Sequence, residues 1–123
     1  MHVIDFGSDR AVPITEYASR GAAAHPLADG AGEAHVYAVH PAAGGEIGPH
    51  PAGFGQLGLV VGGEGWVAGA DGVRRPVRAG QGVVIGRGEV HAKGSEARCS
   101  AVMIQLAERM PAADLPLADR RAA

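Results

Sequence analysis

Turn-forming residues divide most of this chain into short apolar segments. The 20 glycines and 8 prolines among its 123 residues are dispersed and do not form one tract. The apolar runs between them have the length and the β-branched or aromatic content of strands. These runs are 36–39, 57–61, 66–68, 83–85 and 100–104. Asp71-Gly72, between two of them, indicates a tight hairpin because both residue types tolerate positive φ. The pattern predicts an all-β barrel or sandwich.

Composition limits the function classes. The length suits one domain. The net charge of -2 and the low aromatic content argue against nucleic acid or an anionic membrane as a partner. Cys99 is the only cysteine, which fits a reducing compartment. The sequence has neither a signal-peptide pattern nor an apolar run long enough to span a membrane. We therefore predict a cytoplasmic protein.

The ends of the chain differ from its middle. We predict a single domain over 1–123 with its core at about 34–107. Segment 1–33 is predicted to be an N-terminal arm, in which the Ala- and Gly-rich stretch 20–32 forms an irregular crossing. The Pro-, Ala- and Asp-rich segment 108–123 is predicted to be a mobile C-terminal tail.

Two glycine-bounded stretches resemble the two conserved motifs of the cupin superfamily. In the first, which begins at Gly45, His50 matches the first histidine of the motif and Gly63 matches its closing glycine. Ala52 stands where the motif has a second histidine, and Gln56 stands where it has a glutamate. In the second motif, the matching residues are Gly80, Gly88 and His91, whereas Gly86 replaces a proline and Ser95 an asparagine.

The resemblance implies a double-stranded β-helix, a jelly-roll-like barrel, around one pocket. Cupins typically hold Fe, Mn, Ni, Cu or Zn with three imidazoles and one carboxylate, and this divalent ion is the implied cofactor. The set that remains here is His50, Gln56 and His91, with both imidazoles expected to point inward from neighbouring strands. Glu89 is a further candidate ligand because it lies two residues before His91 and would share its face of a strand.

Other residues are predicted to shape the pocket. Ala52, Gly58 and Gly86 are small and would leave room for a ligand. Arg87 and Lys93 are expected at the mouth of the barrel, where they could meet a carboxylate or enolate. A small molecule is thus the expected partner, and a homodimer is expected because an open sheet edge needs covering.

Two functional hypotheses remain open at this point. The first is a metal-dependent enzyme of oxygenase, isomerase or cyclase type, in which an open divalent site acts as a Lewis acid on a small organic substrate. The alternative is a metal-free protein that presents the same pocket to a metabolite, with its histidines as polar anchors. A purely structural or interaction module has little support, because the sequence has no obvious exposed apolar patch.

Overall fold

The computed structural model describes residues 1–111, and ten strands account for most of them. The strands are β1 (His2–Asp5), β2 (Val12–Pro13), β3 (Ala23–Ala24), β4 (Ala28–Val39), β5 (Glu46–Pro51), β6 (Gly55–Ala68), β7 (Arg74–Arg78), β8 (Gln81–Ile85), β9 (Val90–Gly94) and β10 (Cys99–Pro111). Two short 3₁₀ turns, Ser8–Arg10 and Glu16–Ala18, lie in the N-terminal arm. Among the described residues, no helix is long and apolar enough to cross a membrane.

The long strand β6 joins two sheet regions. Its first half pairs with β8 and β10, giving the strand order β1-β8-β6-β10-β4. Its second half pairs with β7 and β9, and β9 also pairs with β5. Every pairing is antiparallel. The all-β prediction is confirmed, and β6 couples the two regions because one continuous backbone runs through both.

Alternation along the strands separates two apolar clusters. Val60, Val83 and Ile85 belong to the larger cluster in the interior, together with residues of β7 and of the second half of β6. Leu57 and Val84, on the opposite face of the same strands, pack with Ile4 of β1. Successive strand residues point to opposite faces, so the first sheet has apolar residues on both sides. The outer cluster is partly covered from the N-terminal arm by Leu27 and Ala28.

The sheet extends beyond the core predicted at 34–107. Strand β4 already begins at Ala28, so the end of the predicted irregular stretch 20–32 is ordered sheet. Strand β1 belongs to the sheet through β8, and β10 continues to Pro111 opposite Ala28. These boundaries were wrong because Gly- and Ala-rich sequence carries little local strand signal, and pairing with a neighbouring strand decides its conformation. The predicted tail beyond Pro111, 112–123, lies outside the described residues.

Glycines at the turns have the backbone conformations that their motif positions require. Gly63, Gly80 and Gly88 have φ of +71°, +90° and +84°, in the left-handed region where a side chain is strained. The predicted hairpin joins β6 to β7, but only Gly72 of the Asp71-Gly72 pair has positive φ. The connection runs from the end of β6 at Ala68 to the start of β7 at Arg74, so it is longer than a tight two-residue turn. Within it, the Asp71 carboxylate accepts a hydrogen bond from the backbone N–H of Val73 at 3.0 Å.

Candidate functional site

His50 and His91 face each other across two neighbouring strands. They are direct partners in the pairing of β5 with β9, and their ring centroids lie 4.4 Å apart at an angle of 53°. His50 is exposed, so it forms the solvent side of the pair, while its ring still contacts the ring of His91. Its Nδ1 lies 2.8 Å from the carbonyl oxygen of Gly48, which can only accept. A neutral His50 therefore keeps Nε2 as a free acceptor.

His91 is the buried member of the pair. It is 1% exposed, and among the described residues neither of its ring nitrogens has a hydrogen-bond partner. Burial lowers the pKa of His91 to about 4, with help from the positive charges of Lys93 and His50, while Glu89 opposes the shift. The imidazole is therefore neutral near pH 7 and offers one N–H donor and one acceptor nitrogen.

The Glu89 carboxylate is already occupied. One oxygen accepts a hydrogen bond from the backbone N–H of Gly86 at 2.7 Å, and the other pairs with the amino group of Met1 at 2.6 Å. Burial alone would raise the pKa of Glu89, but these hydrogen bonds and the charge of the amino group lower it below its usual value. Both oxygens of the Glu89 carboxylate therefore already have partners in the described structure.

Gln56 lies on β6 between Ile85 of β8 and Gln105 of β10. Its side chain is 3% exposed, and its Oε1 has no hydrogen-bond partner in the described part of the chain. Within that part, the structure records no hydrogen bond between Gln56 and either imidazole. Gln56 thus presents a buried, unsatisfied carbonyl oxygen, which normally requires a ligand, a water or an ion.

The five predicted pocket residues divide into two groups. Gly58 and Lys93 line one internal cavity, whereas Ala52, Gly86 and Arg87 are not among its lining residues. Ala52 is buried in the apolar core, and the backbone of Gly86 holds Glu89. Arg87 is exposed, and its Nε donates to the carbonyl oxygen of Gly53 at 3.1 Å. Lys93 is half-buried, and burial lowers its pKa.

Sequence reasoning missed a polar row beside Gln56. The register aligns Gln56, Gln105 and His35 across three adjacent strands, so their side chains share one face of the sheet. Gln105 donates from Nε2 to the hydroxyl of Tyr37 at 2.9 Å, and burial raises the pKa of that hydroxyl. The polar residues at alternate positions of β4 and β10 could have indicated this row from the sequence. Only the strand register, however, places the row beside Gln56.

The residues present do not fit a conventional divalent metal centre. Within the described chain, no group of three His, Cys, Asp or Glu side chains is placed to hold an ion. The two imidazoles and the neutral Gln56 carbonyl bring no negative charge, and the positive charge of Lys93 acts on His91. Divalent transition metals in such sites are usually held by several imidazoles and an anionic oxygen.

Comparison with known proteins identifies the fold. No protein-family model and no curated protein matches the sequence. A conserved protein with a double-stranded β-helix domain from Klebsiella pneumoniae matches with TM-score 0.56 and 22% identity, over 87% of this chain and 95% of that one. A cupin superfamily protein from Desulfitobacterium hafniense matches with TM-score 0.57 and 15% identity, over 67% and 77%. A protein with a cupin-2 domain from Shewanella frigidimarina matches with TM-score 0.53 and 22% identity, over 59% and 70%.

These identities are too low to carry over an activity, but the shared architecture agrees with the strand order and with the glycine-bounded motifs. The chain has the cupin fold, a double-stranded β-helix.

Proposed function

We propose that this protein binds a small organic molecule at the His50–His91 pair without a resident metal. The observation that carries the proposal is His91, a buried neutral imidazole with two unpartnered ring nitrogens in the described structure. A buried donor and acceptor without partners cost free energy, which a ligand with complementary polar atoms recovers. The Lys93 ammonium acts on His91 more strongly than the Glu89 carboxylate does, which favours a neutral or anionic organic ligand over a divalent cation.

A metal-dependent enzyme is the second candidate. It is favoured by one observation, the unpartnered Gln56 Oε1 and His91 nitrogens, because buried atoms of these types are donors to Fe, Mn, Ni, Cu or Zn. In this version His50, Gln56 and His91 hold the ion, and the reaction is of oxygenase, isomerase or cyclase type on a small organic substrate.

The protein is predicted to be cytoplasmic in either version, because the only cysteine is a free thiol.

One experiment separates the two candidates. Protein labelled with ¹⁵N-histidine is freed of metal with a chelator and titrated with small organic acids, ketones and amides, while the ring signals of His50 and His91 are followed by NMR. We expect some of these compounds to shift both rings. His91→Gln should abolish the shifts, and His40→Gln, at an exposed histidine hydrogen-bonded to Ser100, should leave them unchanged.

Zinc and manganese titrations of the same samples form the second arm. Ring shifts that appear only after one of these ions is added would contradict the metal-free proposal and favour the enzyme. Gln56→Glu sharpens this arm, because an added carboxylate should raise zinc affinity if the three side chains converge. Ala52→His is a less suitable way to add a ligand, because Ala52 belongs to the buried apolar cluster of Val60, Val67 and Val77, where a larger polar side chain would disturb the packing.

We further propose a homodimer in which strand β4 lies at the subunit contact. Among the described strands β4 pairs only with β10, so its other edge is open. Val36 on this strand is 67% exposed, and Tyr37 is 40% exposed. Unpaired edges with exposed apolar residues favour association. Both features make this edge the best candidate for contact with a second copy.

Light scattering after gel filtration tests the dimer. The wild-type protein should elute as a dimer, and Val36→Lys should shift it towards the monomer because a charge at the contact opposes association. Val73→Lys is the matched control, because Val73 is 56% exposed in the connection between β6 and β7. A monomeric wild-type protein, or equal effects of the two substitutions, would contradict the proposed contact.

A further inference from the structure

Phe54 lies in the connection between β5 and β6, and its ring contacts side chains from two other parts of the chain. The His35 ring on β4 meets it edge-on, with the ring centroids 5.4 Å apart and the planes inclined at 60°. The guanidinium carbon of Arg87, in the connection between β8 and β9, lies 5.8 Å from the centroid of the Phe54 ring. Phe54 therefore links the start of β6 to β4 and to a neighbouring turn.

This reach takes the ring across the polar row of Gln56, Gln105 and His35. The three residues are partners on adjacent strands, so Gln56 and His35 lie roughly 10 Å apart with Gln105 between them. Phe54 precedes Gln56 by two residues at one end of the row and contacts the His35 ring at the other end. The His35 side chain lies on the same face of the sheet as the other two. The Phe54 ring therefore lies above the row.

Gln56 is the member of the row that needs a partner. Its side chain is 3% exposed, and its Oε1 accepts no hydrogen bond from the described residues. Gln105 and Tyr37 do not supply one, because they bond to each other at 2.9 Å. Water or a ligand would satisfy this carbonyl. With Phe54 in its observed position, almost no solvent reaches the Gln56 side chain.

The Phe54 ring is held by weak contacts alone. Ala52 is fixed by two backbone hydrogen bonds to the connection 86–89, and Gly55 is fixed by its pairing with β10. Between these two anchors, no hydrogen bond outside the strands is recorded for Phe54 within residues 1–111. The preceding Gly53 has open space, since no atom lies within 4 Å of an added Cβ. Edge-to-face and cation–π contacts at exposed positions are weak, so the ring is free to rotate outward while the backbone hydrogen bonds stay intact.

We propose that Phe54 is a gate over Gln56. With the ring against His35 and Arg87 the polar row is closed, and rotation of the ring into solvent opens the row to water or a ligand. The gate goes beyond the proposed function and does not depend on which ligand the protein binds, because water enters by the same route.

The three glutamines of the chain provide the probe. The sequence has no asparagine, so Gln56, Gln81 and Gln105 are the only side-chain carboxamides. Their hydrogen exchange with water is followed by ¹⁵N NMR in wild type and in Phe54→Ala. We expect Gln56 to exchange at least about fivefold faster in the variant, because the ring contacts no longer oppose opening. Gln81 lies at the other end of β8 from the partner of Gln56 and donates to Asp5 at 3.3 Å, so its exchange should be unchanged.

Phe6→Ala is the matched control, because Phe6 is the other of the two phenylalanines. It is half-buried just after β1, and its backbone N–H donates to Gly80 at 2.8 Å. This variant should leave the exchange of Gln56 unchanged. A double variant, His35→Ala with Arg87→Ala, keeps the Phe54 ring and removes both of its contacts from exposed positions. It should also speed the exchange of Gln56, and it replaces Phe54→Ala if that variant folds poorly.

The gate is wrong if Phe54→Ala leaves the exchange of Gln56 as in wild type, or if it speeds all three glutamines alike, which would indicate general loosening of the fold. Unchanged exchange in the double variant overturns it equally. The proposed function is tested separately, by the histidine ring signals. Compounds that shift His50 and His91, together with unchanged exchange in Phe54→Ala, would keep the binding function and remove the gate. Faster exchange of Gln56 alone, with no compound shifting the rings, would keep the gate and remove the function.

Discussion

Gly63→Ala is expected to lower the free energy of unfolding by about 2–5 kcal/mol, more than a methyl group costs at a glycine with open space around it. Two effects add at this position. The backbone has φ of +71°, which strains any residue with a Cβ, and the added Cβ would collide with the carbonyl oxygen of Arg98. That carbonyl already accepts a hydrogen bond from the N–H of Glu64, so it is not free to move away.

Gly72→Ala is the matched control. Gly72 has nearly the same φ, +72°, but no atom lies within 4 Å of an added Cβ. Gly72→Ala should therefore lower the free energy of unfolding only by the conformational strain, about 1–2 kcal/mol. Urea unfolding followed by circular dichroism measures both variants, and the difference between them isolates the close approach to Arg98. Equal losses would mean that the backbone at Arg98, just before β10, can shift to accept the methyl group.

Acidification is expected to destabilise the fold through His91. The pKa of His91 is about 4 in the folded protein, against 6.5 for the ordinary group. Between these values the unfolded chain binds more protons than the folded one, so stability falls as the pH drops from about 6.5 to about 4. Above this window both states are neutral at this residue, and below it both are protonated. The full shift corresponds to an order-of-magnitude loss of about 3 kcal/mol.

His91→Gln isolates this contribution. The variant lacks the titrating ring, so its stability should depend less on pH between 6.5 and 4, whatever the other groups contribute. Glu89 acts mainly at lower pH, because its lowered pKa makes its contribution disappear only as the pH falls below the usual range of a carboxyl group. Urea unfolding at a series of pH values gives both curves. Parallel curves for variant and wild type would show that folding does not lower the pKa of His91.

Much of the fold could be read from local sequence. The apolar runs and the glycines between them predicted strands within β4, β6, β8 and β10, because strand alternation and positive-φ turns depend on neighbouring residues. The resemblance of the glycine-bounded motifs also predicted that His50 and His91 lie close together on neighbouring strands, and in the structure they are partners in the pairing of β5 with β9. Gly63, Gly80 and Gly88 have the backbone conformations that explain why glycine stands at those motif positions.

The state of the site depended on contacts between distant parts of the chain. Glu89 is a candidate ligand by its position in the sequence, but Met1, 88 residues away, holds its carboxylate. Ala52 was expected to open the pocket, but it packs in the apolar core.

Turns and alternation are local properties of the backbone, so the sequence by itself determined an all-β barrel or sandwich. The resemblance to the two cupin motifs added the barrel and the two histidines on neighbouring strands. The tertiary structure alone decided which charges surround those histidines and where the single lysine lies. Burial and electrostatic interactions depend on which strands become neighbours. That pairing is set by the whole sheet, including the Gly- and Ala-rich start of β4, whose own residues hardly favour a strand.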